Sequence, residues 1–290
     1  MAKGVRMFQT RAGRFEPHAC EFWQRGRIPR SPLGSATHFL RWWGTDSEEN
    51  YHRRGNRHFS VESVGYEFNS LGYRGPEFQR ERGERAVLFL GDSNTMGTGM
   101  PWSGLWTTLV TAYLERRWGG PVRQLNLAFG GTGSDYVAMM VHQCAELLSP
   151  DAVFVLWSYV TRMMWFPETR RAVHFNPMNP PRDNPREHEA YLRLFTDPQG
   201  FFNYVRNFQL VNDRLLRLGI PYFWGNLEEF SPEMLRPYVP LDGYVGQWKR
   251  IDLARDARHG GLKTHAAFAD LVIRVMERGG LCSEEEEVNA

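Results

Sequence analysis

Four short apolar runs, each bounded by turn residues, divide the chain: AVLFLG (86–91), VRQLNLA (122–128), AVFVLWS (152–158) and IPYFWGN (220–226). Runs of this length and edge chemistry predict buried strands. Between them the apolar spacing becomes helical. Residues 104–118 align Leu105, Leu109, Ala112 and Tyr113 on one face, and residues 134–148 align Val137, Met140, Val141, Cys144 and Leu148. Residues 201–218 and 264–278 are two further helical patterns, the latter aligning Ala267, Leu271 and Val275. Strands alternating with helices predict a parallel sheet covered on both faces, an open α/β architecture. No internal repeat is present.

Two regions break the rhythm. Residues 1–80 are rich in aromatics, arginine and turn residues, with YEFNSLGYRGPEF (66–78) as the one clear strand-and-turn element. They read as an N-terminal extension packed on a core of 81–280. Residues 159–200 hold FNPMNPPRDNPREHE, a proline-rich insertion too long for a routine connection and of the kind that serves as a lid or linker. The acidic segment at 281–290 reads as a solvated tail.

Composition narrows the function classes. A chain of 290 residues can bury a sizeable core, and its net charge of +2 gives no reason to expect nucleic acid or an anionic membrane as partner. Cys20, Cys144 and Cys282 are too widely spaced for a metal-ligand pattern or a disulfide framework. The first residues lack the apolar run of a secretory signal, and no 18-residue apolar stretch could span a bilayer. A cytoplasmic protein is the expectation.

The candidate chemistry lies where the first strand ends, at Gly91-Asp92-Ser93. Ligands of open parallel sheets bind beyond the carboxyl ends of the strands. A serine there, followed by a helix, would expose its hydroxyl beside backbone N–H groups. Serine needs a base within hydrogen-bond reach and a partner that fixes the base's tautomer. ARDARHGG, near the other end of the chain, offers Asp256 and His259 three residues apart just before the last helical pattern. His265 competes as base, but within that helical pattern it reads as a packing or capping histidine. Asp256 has a plainer alternative, an ion pair with the adjacent Arg255 or Arg258.

FLGDSNTMGTG, LNLAFGGTGSD and DARHGG, in this order, resemble the nucleophile, second and Asp-x-x-His blocks of the SGNH or GDSL esterases and lipases. The resemblance spans 86–279, and FNSLGYRGPEF upstream is similar to a lead-in of some members. It implies a flavodoxin-like three-layer α/β sandwich with a parallel sheet. It also implies a Ser93–His259–Asp256 triad and ester hydrolysis by an acyl-enzyme route, with no metal or other cofactor. The implied oxyanion hole uses the backbone N–H of Ser93 and of Gly131, with Gly130 as the register alternative.

One block departs from the family. Its third block supplies an Asn side chain to the oxyanion, and the corresponding strand end here reads LWSYVTRMMW. Ser158, Thr161 or Arg162 are the candidates to replace it, Arg162 first because its long guanidinium can reach back; a substrate carboxylate or phosphate is its other use. Trp102, Trp157, Trp165 and Phe166 could line a sugar-sized cleft. The resulting expectation is removal of a small acyl group from a small-molecule or glycan ester. An acyltransferase with the same triad, or a silent glycan- or protein-binding relative, is the alternative.

Overall fold

The computed structural model describes residues 26–33, 38–166, 172–177 and 185–279. Cys20, Cys282, the acidic tail and part of the proline-rich segment lie outside the described residues. In chain order, the N-terminal region contributes β1 (Phe39–Leu40), α1 (Glu48–Arg54) and β2 (Tyr66–Glu67). Then come β3 (Arg85–Leu90), α2 (Ser93–Met96), α3 (Trp106–Trp118), β4 (Val122–Asn126), α4 (Ser134–Leu148) and β5 (Ala152–Trp157). The inserted region holds β6 (Met163–Trp165), β7 (Val173–Phe175) and α5 (Pro185–Leu194). The chain finishes through α6 (Asp197–Leu218), β8 (Tyr222–Asn226), α7 (Pro232–Leu235), β9 (Tyr244–Gln247) and α8 (Leu262–Arg278).

All four expected strands are present and pair in parallel, in the order β4-β3-β5-β8-β9. Counted along the chain this is 2-1-3-4-5, the flavodoxin-like arrangement, whose ligand crevice opens where the order reverses between the first and third strands. Alternation along β3 divides the core between the two faces. Val87 and Phe89 pack with Trp106, Val110, Phe268 and Val272 of α3 and α8. Leu88 and Leu90 pack with Val137, Met140 and Val141 of α4 and with Phe208 and Val211 of α6. The central strands β3 and β5 are buried on both faces, which is why AVLFL and AVFVLW are unbroken apolar runs rather than alternating ones.

Three expectations change. β9 falls in YVGQ, a short strand with a glycine at its third position that carries too little apolar signal to stand out. The buried faces of α3 and α8 are centred one residue later than the sequence pattern suggests. In α8, Phe268, Val272 and Met276 are buried whereas Ala267, Leu271 and Val275 are half-buried. The 159–200 insertion is not a plain loop, since β6 and β7 form an antiparallel hairpin and α5 follows.

The described part of the N-terminal region packs beside the carboxyl ends of the strands. Phe59, Val64, Tyr66 and Phe68 form a third apolar cluster with Met96, Met100, Leu105 and Ala254. At its centre Arg255 is wholly buried and fully occupied: it pairs with Asp46 at 2.6 Å and donates to the carbonyls of Arg41, Val61 and Val64. Tyr66 donates its hydroxyl to Asp46 at 2.6 Å. Arg255 is therefore committed to the N-terminal region, and no Arg255–Asp256 ion pair forms.

Candidate active site

Ser93 stands at the carboxyl end of β3, on the first turn of α2. Gly91 makes the sharp exit from the strand possible. Its φ is +151°, and a Cβ there would lie 2.3 Å from Thr95 Oγ1 and 2.9 Å from the Leu156 carbonyl. Asp92 caps the turn by accepting the Asn94 N–H at 2.8 Å, which fixes the backbone on either side of Ser93.

Residues distant in sequence converge on this serine. His259 Nε2 lies 2.8 Å from Ser93 Oγ, and His259 Nδ1 lies 2.7 Å from Asp256 Oδ2. The short loop that carries them is shaped by Asp256 itself, whose Oδ1 accepts the backbone N–H of both Arg258 and His259 at 3.0 Å. Asp256 also accepts the Thr45 hydroxyl at 2.6 Å. Burial acts to raise the Asp256 carboxyl, but the hydrogen bond and charge of His259, with the Thr45 hydroxyl, outweigh it and bring the pKa down to about 2. Because the carboxylate stays ionised, it accepts the Nδ1 proton of His259 and leaves Nε2 as the face toward Ser93.

The second block lies alongside. A Cβ on Gly130 would come within 3.8 Å of Ser93 Cβ, whereas Gly131, with φ +82°, has open space at the same position. Gly130 thus faces Ser93 directly and Gly131 occupies the left-handed turn that follows it.

Of the candidates to replace the missing asparagine, Arg162 and Ser158 are engaged by Asp92. Arg162 Nη1 is 2.5 Å from Asp92 Oδ2, and it also donates to Ser158 Oγ at 2.8 Å and to the Thr132 carbonyl at 3.2 Å. Ser158 in turn donates to Asp92 at 3.3 Å. Asp92 is a buried carboxylate and draws the nearest guanidinium, so Arg162 Nη1 and Ser158 brace the residue before the serine, while Arg162 also lines the cavity that holds Ser93. Thr161 lines the same cavity as Ser93, with its carbonyl accepting the Tyr191 hydroxyl.

His265 is the capping residue that its helical position suggests. Its Nδ1 accepts the Trp106 N–H at 3.1 Å, an otherwise orphaned donor at the start of α3, and the ring packs edge-on against Trp248. The tryptophan cleft does not assemble. Trp157 is buried against Tyr204 and Phe208, and Trp165 joins Tyr191 in a separate apolar cavity of about 440 Å³. Trp102 packs near Arg74 in the N-terminal cluster.

The cavity in front of Ser93 measures about 900 Å³ and is polar, with Tyr159 and Trp248 as its aromatic walls and Lys249, Arg250 and Arg258 on its lining. Sequence reasoning missed Thr45, Lys249 and Arg250; isolated polar residues in irregular segments carry no periodic signal. Among the described residues no group of three or more His, Cys, Asp or Glu side chains gathers as a metal site. Cys144 is buried, which pushes its thiol up to about 12 and leaves it an inert packing residue. No helix among the described residues is long and apolar enough to cross a membrane.

No family model and no curated protein matches the chain. Among solved structures it is similar to that of TesA, at a TM-score of 0.42 and 14% identity, covering 67% of this chain and 99% of that one. It is also similar to the psychrotrophic esterase EstA from Pseudoalteromonas sp., inhibited by monoethylphosphonate (TM-score 0.42, 11% identity, 67% of this chain and 98% of that one). A third is a carbohydrate esterase family 2 enzyme with a carbohydrate binding domain from Corynascus thermopiles (Myceliophthora fergusii). Its TM-score is 0.43 at 15% identity, covering 72% of this chain and 70% of that one. Residue roles in this chain rest on its own geometry.

Proposed function

We propose that the chain is a serine ester hydrolase that removes a small acyl group through an acyl-enzyme on Ser93, as its resemblance to the SGNH esterases implies. The observation that carries this reading is the unbroken hydrogen-bonded series Ser93 Oγ, His259 Nε2, His259 Nδ1, Asp256 Oδ2, with links of 2.8 and 2.7 Å. In the first half-reaction Ser93 Oγ attacks the ester carbonyl while His259 Nε2 takes its proton. Asp256 remains ionised and stabilises the imidazolium. The tetrahedral oxyanion is held by the N–H of Ser93 and of Gly131 or Gly130, worth on the order of 3 kcal/mol per donor in the transition state. His259 then gives its proton to the departing alcohol, and water repeats the sequence on the acyl-enzyme.

Arg162 has no part in the oxyanion hole in this reading, because Asp92 holds it; the site works with backbone donors. The substrate class follows from the wall chemistry. A polar cavity of about 900 Å³ suits a short acyl group on a polar alcohol, a carbohydrate among the candidates, better than a long alkyl chain. A panel of p-nitrophenyl esters from acetate to decanoate, run on wild type and Ser93→Ala, tests both statements. The expected result is turnover that falls as the chain lengthens and that disappears in the variant. Turnover that survives Ser93→Ala would overturn the reading.

A further inference from the structure

We infer that the cavity in front of Ser93 takes an ester that also carries an anionic group, a carboxylate or phosphate, held by Lys249, Arg250 and Arg258. This deepens the proposed hydrolase reading and rests on it for the reaction, although not for the binding.

The charge of the cavity is one-sided. Lys249, Arg250 and Arg258 are all exposed, all line it, and among the described residues none of them is in an ion pair. The acids around them are largely spent: Asp92 is paired with Arg162 and Asp256 with His259, so Glu229 is the one carboxylate on the lining. The chain as a whole is nearly balanced, with 35 Lys and Arg against 33 Asp and Glu. The basic cluster is thus not a consequence of a strongly basic chain.

The placement is also constrained. Lys249 and Arg250 follow β9 directly, while Arg258 precedes His259 in the loop before α8. Arg250 Nη1 donates to the Arg258 carbonyl at 2.8 Å, tying the two segments together and holding one guanidinium at the cavity wall. A cleft walled by one sign of charge concentrates counter-ions. Guanidinium groups offer paired donors that match carboxylate and phosphate oxygens. The plain alternative is a solvated basic rim with no ligand, and binding separates the two.

The test uses Ser93→Ala protein, in which an ester stays intact, and compares 3-acetoxybenzoate and 3-acetoxyphenyl phosphate with the neutral 3-acetoxybenzamide by ligand-observed NMR titration. Two or three such contacts predict binding of at least one anion about tenfold tighter than the amide at low salt. Added salt should shrink the difference. Lys249→Gln/Arg250→Gln/Arg258→Gln in the same background should erase it, with thermal denaturation verifying the fold of these exposed substitutions. No preference for either anion over the amide, or a preference that survives the triple change, would overturn the inference. Fluorophosphonate labelling of wild type distinguishes the two failures. An unlabelled Ser93 with the anion preference intact removes the hydrolase reading alone, whereas a labelled Ser93 without anion preference removes this inference alone.

Discussion

The Thr45 hydroxyl donates to Asp256 Oδ2 at 2.6 Å, joining residues 211 positions apart. The same oxygen faces His259 Nδ1, and Asn50 Nδ2 donates to the Asp256 carbonyl at 3.0 Å. The N-terminal region is therefore a wall of the site, setting the carboxylate that orients His259. Thr45→Val removes a hydrogen bond to a charged group, worth ~1.5–3 kcal/mol when such a group is buried. The expected outcome is a fall in kcat/KM on p-nitrophenyl acetate of about tenfold or more, with Thr45→Ser restoring most of it. Steady-state kinetics on the three proteins checks this; equal rates in wild type and Thr45→Val would remove Thr45 as a positioning residue.

Arg162 offers a sharper contrast. Its partner Asp92 has a fully buried side chain, and breaking a buried pair leaves a charge uncompensated at a cost of ~3–5 kcal/mol. Arg162→Met should lower stability by that order and reduce kcat, because Asp92 fixes the turn on which Ser93 stands. KM for a neutral ester should stay within about twofold if no contact to substrate is lost. Urea denaturation and kinetics together decide the matter. A raised KM with unchanged stability would restore the substrate-contact role.

Acid should weaken the fold before it reaches ordinary carboxylates. Burial lowers His265 to about 3, and burial with the Arg162 charge lowers His174 to about 4. An unfolded histidine titrates at ~6.5, so below that pH the unfolded chain binds protons that the folded chain refuses. Stability is full above ~6.5 and is lost progressively as pH falls toward ~4. Differential scanning calorimetry should show Tm falling across that window. His265→Gln, lacking the native cap on Trp106, should start from a lower Tm at neutral pH and lose less of it on acidification. Parallel Tm curves for the two proteins would show that His265 is not a source of the effect.

The Asp46–Arg255 pair tests whether the N-terminal region is integral to the core. Both side chains are fully buried, so Asp46→Ala strands a guanidinium and should cost ~3–5 kcal/mol. Because Arg255 precedes Asp256, activity should fall with stability. A variant whose urea midpoint matches wild type would mean that the N-terminal region docks without supporting the site.

How much of this was legible in the sequence depends on the kind of signal. β3, β5 and α4 were readable because a strand buried on both faces or a helix with one apolar stripe repeats its message over many residues. The meeting of Ser93, Asp256 and His259 could be anticipated because Ser93 closes an apolar strand and Asp256 and His259 lie three residues apart just before the last helix. The partners of those residues were not. Arg162 carries the same charge whether it meets an oxyanion or Asp92, and only the fold decides that Asp92 is nearer. Thr45 and Asp46 owe their roles to contacts made across more than 200 residues, which no window of sequence contains. The Ala267, Leu271, Val275 stripe of α8 missed by one residue because His265 and Thr264, polar in sequence, are buried by bonding to Trp106 and Asp252.

The central claim is that Ser93 is a nucleophile activated by His259, and intact-protein mass spectrometry after fluorophosphonate treatment tests it most directly. The expected result is a single adduct mapped to Ser93 on wild type, none on Ser93→Ala, and labelling slowed by on the order of 10³-fold in His259→Ala, since the residues act as a unit. His265→Ala should label at close to the wild-type rate. A folded wild-type protein that forms no adduct, or an adduct that persists in Ser93→Ala, would contradict the account.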